Sequence, residues 1–165
     1  MLSACRVAAC LVLAVPGAES AVDKVSELQA RFDQEPHATT KIKILDKLGE
    51  AQSAAASQAQ KKEDYIGIGL IFEKYRDNVR AAYETLKKQE PDADKHPEGY
   101  RRLELQVRRG IRELDDMTII VPSEVRPPLQ LVREDLIKMD DDLIHDLFPP
   151  HTVIPTPPPA KVKKP

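Results

Sequence analysis

The residue types in this chain best suited to chemistry are its four histidines, His37, His96, His145 and His151. Acidic side chains accompany them: Asp92, Asp94 and Glu98 around His96, and Asp142 and Asp146 around His145. Imidazole and carboxylate ligands suit a borderline divalent ion such as zinc, copper or nickel. His37, His96, His145, Asp142 and Asp146 are therefore the candidate metal ligands, although their spacing follows no recognised motif. Asp92-x-Asp94-x-His96 opens like a calcium loop, but Pro97 stands where that loop needs its glycine and Leu103 where it needs its closing glutamate. The ordinary fate of such residues is solvation at helix ends, and the metal site is the alternative to it.

A second pattern is charge. Arg101, Arg102, Arg108, Arg109 and Arg112 crowd one segment, and Glu134, Asp135, Asp140, Asp141, Asp142 and Asp146 crowd another. Antiparallel packing of the two would set Arg101 and Arg102 beside the acidic run at 140–146, giving inter-helix ion pairs worth roughly 0 to 1 kcal/mol each. The functional alternative is an anion- or partner-binding patch formed by Arg101, Arg102, Arg108 and Arg109.

Catalytic patterns are absent from the sequence. No serine sits in a Gly-x-Ser-x-Gly turn, there is no His-Glu-x-x-His, and Asp115-Asp116, being adjacent, splay apart on a helix. Gly67-x-Gly69 lacks the third glycine of a dinucleotide loop and the lysine of a phosphate loop. The chain reads as non-catalytic and without a cofactor.

Helices must position these groups. Tyr65, Ile68, Phe72, Tyr75, Val79, Ala82 and Leu86 step by three and four, the spacing of a helix seam over 65–89. Ile66 and Leu70 place apolar surface on its other side, so this helix is expected to be covered from two faces. A first helix over 21–35 uses Val22, Val25, Leu28 and Phe32 and stops at Pro36. A second, capped by Thr39 or Thr40 and reaching about residue 60, uses Ile44, Leu48, Ala51, Ala55 and Ala59. The fourth opens on Pro97, with Asp94 as a possible cap, and packs through Tyr100, Leu103, Val107, Ile111 and Leu114 to near Met117. Ile119-Ile120-Val121 reads as a buried exit segment. The fifth opens at Pro127 or Pro128 and runs through Leu129, Val132, Leu136, Met139, Leu143 and Leu147 to the break at Pro149-Pro150. Short connections favour antiparallel neighbours. The expected fold is all-α, an up-down bundle of four to five helices over 21–148, with a helical-repeat array as second choice. Alternation of direction would gather all four histidines at one pole.

The 165 residues suffice for one core, and a net charge of −2, pI near 6.1 and mean hydropathy of −0.43 give no positive field for nucleic acid. Residues 1–20 read as a secretory leader: Arg6, an apolar run over 7–15, Pro16-Gly17, and Ala18-Glu19-Ser20 as cleavage site, with Ala21 the expected mature start. A lipoprotein box ending in Cys10 is the lesser reading, since its apolar run would follow it rather than precede it. Both cysteines, Cys5 and Cys10, fall in that leader, so the mature chain has no thiol for disulfides or zinc. The run is shorter than the roughly 20 residues a spanning helix needs, and no integral membrane segment is expected after its removal. Residues 149–165 are rich in proline and end in Lys161-Val162-Lys163-Lys164-Pro165, a tail that favours polyproline II and is expected to be disordered.

Lys47-Leu48-Gly49-Glu50-Ala51-Gln52 with Glu73-Lys74-Tyr75-Arg76 resembles exported bacterial all-helical proteins of unknown function. The resemblance covers the middle half of the chain and implies an all-α fold but no active residue. The resulting expectation is an exported, periplasmic or extracellular helical protein that acts by binding a protein partner in the cell envelope. The alternative is a periplasmic divalent-metal-binding or stress-responsive helical protein.

Overall fold

A computed structural model describes residues 21–149, and its regular structure there is entirely helical. The helices are α1 (Ala21–Gln34), α2 (Ala38–Lys61), α3 (Tyr65–Gln89), α4 (Pro97–Ile120) and α5 (Arg126–Leu147), with one 3₁₀ turn at Ser123–Val125. Residues 1–20, expected as a leader, and residues 150–165, including His151, lie outside the described residues, and the side chains of Ala21 and Val22 are likewise not described.

Successive helices alternate in direction, as the short connections require. Pairs α2·α4 and α3·α5 therefore run parallel. Asp46 and Glu50 of α2 meet Gln106 and Arg109 of α4, while Arg76 and Tyr83 of α3 meet Asp135 and Asp146 of α5. Contacts link α2·α3, α2·α4, α3·α4, α3·α5 and α4·α5, and no α2·α5 contact occurs among the described residues. The cross-section is thus a rhombus with α3 and α4 on its short diagonal. Helix α1 lies outside it against α2. It is tied to α3 by a reciprocal amide pair in which Gln29 Nε2 donates to Asn78 Oδ1 at 3.0 Å and Asn78 Nδ2 donates to Gln29 Oε1 at 2.8 Å.

The short diagonal has a residue-level cause. The ring of Tyr75 on α3 lies between two glycines, Gly110 of α4 and Gly49 of α2, and its hydroxyl donates to the Gln106 carbonyl oxygen at 2.6 Å. A Cβ on Gly49 would stand 3.2 Å from Tyr75 Cε2, and one on Gly110 would fall inside van der Waals contact of Cε1. Side chains here would force the three helices apart.

The seams of α3, α4 and α5 are buried as their spacing predicts, with Ile68, Val79, Leu86, Leu103, Leu114, Leu136 and Leu143 sealed from solvent. In α2 the buried face is broader than the Ile44 to Ala55 line. Ile42, Leu45 and Ala56 are also buried, because α2 meets α1, α3 and α4 together. Two expectations are corrected. Ile119 and Ile120 belong to α4 and are exposed, and only Val121 turns inward, since it continues the buried Leu114–Met117 stripe while residues 119 and 120 fall on the outer side of the last turn. Ile66 and Leu70 are 77% and 61% exposed, so the outer face of α3 is not covered.

Helix boundaries differ from expectation where tertiary contacts replace local caps. α2 begins at Ala38 with His37 as N-cap residue and no side-chain cap of its own, rather than at Thr39 or Thr40. Its first amide is satisfied from the end of α3: Ala38 N–H donates to Gln89 Oε1 at 2.9 Å, while Gln89 Nε2 donates to the Pro36 carbonyl oxygen at 2.6 Å. Gln89→Ala is therefore expected to lower stability by about 1 kcal/mol, the usual worth of an N-cap, read as a shift of the urea midpoint. α4 likewise has His96, not Asp94, at its N-cap, and α5 opens at Arg126 with both prolines in its first turn. At the start of α3 the cap is local: Asp64 Oδ1 accepts from Gly67 N–H at 2.9 Å, and a Cβ on Gly67 would overlap that carboxylate. The C-terminal end of α1 is closed by the buried Lys41, whose Nζ donates to the carbonyl oxygens of Phe32 and Glu35 at 2.8 and 2.9 Å.

Candidate functional site

Each pole of the bundle carries one group of candidate residues. At the pole where α2 and α4 begin and α3 and α5 end, His37 and His96 occupy N-cap positions and His145 the last turn of α5, all three exposed. The carboxylates there are engaged elsewhere. Asp146 Oδ2 accepts from the Tyr83 hydroxyl at 2.7 Å and pairs with Lys87 Nζ at 3.6 Å. Burial first, and then this hydrogen bond, push the Tyr83 phenol well above its ordinary pKa. Asp92 pairs with Lys95 at 2.7 Å, and that hydrogen bond holds its carboxyl below the usual range. His96 lines a hollow of about 390 Å³ with Thr39, Glu90, Lys95 and Glu98, while His37, His145 and Asp142 are absent from its lining. Among the described residues no three histidine, aspartate or glutamate side chains come together as a metal set.

The arginines are divided. Arg108 pairs with Glu104 and reaches Asp140 Oδ2 at 3.4 Å, and Arg109 pairs with Glu113 at 3.1 Å and Glu50 at 3.4 Å. Arg133 of α5 pairs with Asp115 of α4. The antiparallel α4·α5 register is thus the one expected from the charges, but Arg101 and Arg102 form none of these pairs and point to solvent. Asp146, their expected partner, is turned toward α3.

The opposite pole holds what the charge and histidine patterns leave out. Between the first turns of α3, the 3₁₀ turn and the start of α5 lies a cleft of about 220 Å³ lined by Tyr65, Ile66, Gly69, Leu70, Val125 and Pro128. Glu73 and Glu124 form its rim. Leu131, one turn beyond Pro128 on α5, is 62% exposed and extends the apolar surface. Gly69 has open space where a side chain would stand, which keeps the cleft floor low. Exposed leucines are common singly; a set of large apolar side chains around one hollow is the mark of an interaction surface. The signal for it in the sequence was Ile66 and Leu70, four apart and off the seam, which reads equally as a second buried face.

No described helix is long and apolar enough to cross a membrane. The chain matches no protein-family model, no curated protein and no solved structure.

Proposed function

We propose that this is an exported helical interaction protein of the cell envelope, non-catalytic, which binds a protein partner through the apolar cleft between α3 and α5. The observation that carries the reading is the exposure of Ile66 and Leu70 in one hollow bordered by Glu73 and Glu124, with Leu131 exposed one turn further along α5. Leaving such side chains in water costs about 1.5 to 3 kcal/mol each relative to full burial. A partner that covers them recovers part of that. What supports export is the leader-like pattern of residues 1–20.

The test is site-directed cross-linking in envelope fractions, comparing the natural chain with an Ile66→Glu/Leu70→Glu variant. Both positions are exposed, so the variant is expected to keep its helical content and thermal midpoint within a few degrees while losing its cross-linked partner. An identical set of cross-linked species from both chains would remove the cleft from the function.

A further inference from the structure

We infer that α1 is a latch: it opens as a unit about Glu35-Pro36-His37 while α2 to α5 stay folded. Opening uncovers the face of α2 that carries Lys41, Ile44 and Leu48, which share one side of the helix by their spacing. This face lies apart from the cleft, and three observations carry the inference.

The first is how little of the core α1 holds. Among the described residues α1 packs on α2 alone of the helices, whereas every other helix packs on at least two. Of its described side chains only Leu28 and Phe32 are buried, with Val25 partly so. The second is that its remaining ties are polar. Lys41 Nζ donates to the Phe32 and Glu35 carbonyl oxygens and stands 4.5 Å from the centre of the Phe32 ring. Gln29 and Asn78 exchange hydrogen bonds between α1 and α3. Lys41 and Asn78 are two of the four buried polar or charged side chains among the described residues. A buried ammonium or amide has given up its hydration, and its bonds to protein recover little more than its bonds to water supplied. Opening returns both groups to water, which offsets the hydrogen bonds lost. Leu28, Phe32 and Val25 are then what holds the latch shut. The seams joining α2 to α5 are apolar, and no such rehydration offsets their exposure.

The third is the joint. Helix α1 ends at Gln34 and α2 begins at Ala38. Between them Pro36 lacks an amide hydrogen and disfavours helical backbone at Glu35, so the two helices cannot fuse into one rigid rod. The start of α2 does not depend on α1, because Gln89 of α3 accepts from Ala38 N–H and donates to the Pro36 carbonyl oxygen. The chain is pinned on the α2 side of the joint, and α1 can swing away without unravelling the first turn of α2.

Native-state hydrogen exchange of the full chain in low urea reads the opening directly. The amides of Gln29, Ala30, Arg31 and Phe32 are expected to share one protection factor within about threefold and one shallow urea slope. They are expected to exchange at least about 100-fold faster, after correction for intrinsic rates, than those of Leu48, Val79, Leu103 and Leu136. Equal protection and equal slope would mean that α1 leaves only on global unfolding, and protection that climbs steadily from Gln29 to Phe32 would mean fraying. Either result overturns the latch. Gln29→Leu/Asn78→Leu replaces the amide pair by apolar side chains of similar size and is expected to narrow the gap at least about tenfold. A gap that stays as wide overturns the inference too, since the polar ties would then not be what makes α1 the weak element. So does protection of α1 that rises with protein concentration, which would make α1 a segment exchanged between copies.

Discussion

Gly110→Ala is expected to destabilise the fold by about 2 kcal/mol, although alanine is the better helix former. The added Cβ would overlap Tyr75 Cε1 and stand 2.9 Å from both Cζ and the hydroxyl oxygen. The ring cannot retreat, because Gly49 of α2 already lies close on its other side and the hydroxyl is anchored on the Gln106 carbonyl oxygen. Overpacking of a filled core typically costs about 1 to 3 kcal/mol and more where no rotamer is free. The helix-propensity gain of about 1 kcal/mol offsets only part of it.

Gly69→Ala is the internal control. Nothing lies near its Cβ position, so it is expected to raise stability by roughly 0.5 to 1 kcal/mol. Urea unfolding of both variants gives the comparison. In a Tyr75→Leu background, Gly110→Ala should cost much less, with a coupling of at least about 1 kcal/mol between the two positions. Additive effects would mean that the ring and the glycine are not in the contact argued here.

What the sequence made legible follows from periodicity. The α3 and α5 seams, the break at Lys61 to Asp64, the start of α4 at Pro97 and the antiparallel α4·α5 register could be read because each depends on residues near in the chain or on a sum of many side chains. The features that could not be read depend on single long-range contacts. Gly49 and Gly110 look like helix weaknesses until the Tyr75 ring is seen between them. Gln89 caps α2 from 51 residues away, so Thr39 was the natural local expectation. Ile119-Ile120 carries the same apolar signal whether it falls on the inner or the outer side of its last turn. The same ambiguity hid the cleft, since Ile66 and Leu70 off the seam fit a second packed neighbour as well as an open face. As for the histidines, alternation of direction correctly set His37, His96 and His145 at one pole, but it could not say whether their carboxylate neighbours were free. Asp146 and Asp92 are bound to Tyr83, Lys87 and Lys95.

Alkaline titration should expose the Tyr75 slot most clearly. Burial first, and then the nearby Glu113 and Asp46 carboxylates against the opposing Arg109, push the Tyr75 phenol well above its ordinary value of 10.0. In the unfolded chain the phenol ionises near that ordinary value, while in the fold it stays protonated. Above pH 10 the unfolded state therefore binds fewer protons, and stability present below pH 10 is lost as pH rises, at about 1.4 kcal/mol per unit for one fully protected phenol. The part of the phenolate absorbance that Tyr75→Phe removes is expected to appear together with the loss of helical ellipticity in one cooperative step. Tyr75→Phe separates the contributions. At neutral pH it lacks the hydrogen bond to Gln106 and should be less stable by about 1 kcal/mol. It also lacks the ionisable group, so its stability falls less steeply, and the two curves should cross near pH 11, about the 1 kcal/mol deficit divided by the slope. A Tyr75-dependent absorbance rising well before the helices melt, or curves that stay parallel through pH 12, would mean that the Tyr75 hydroxyl is reached by solvent in the folded bundle.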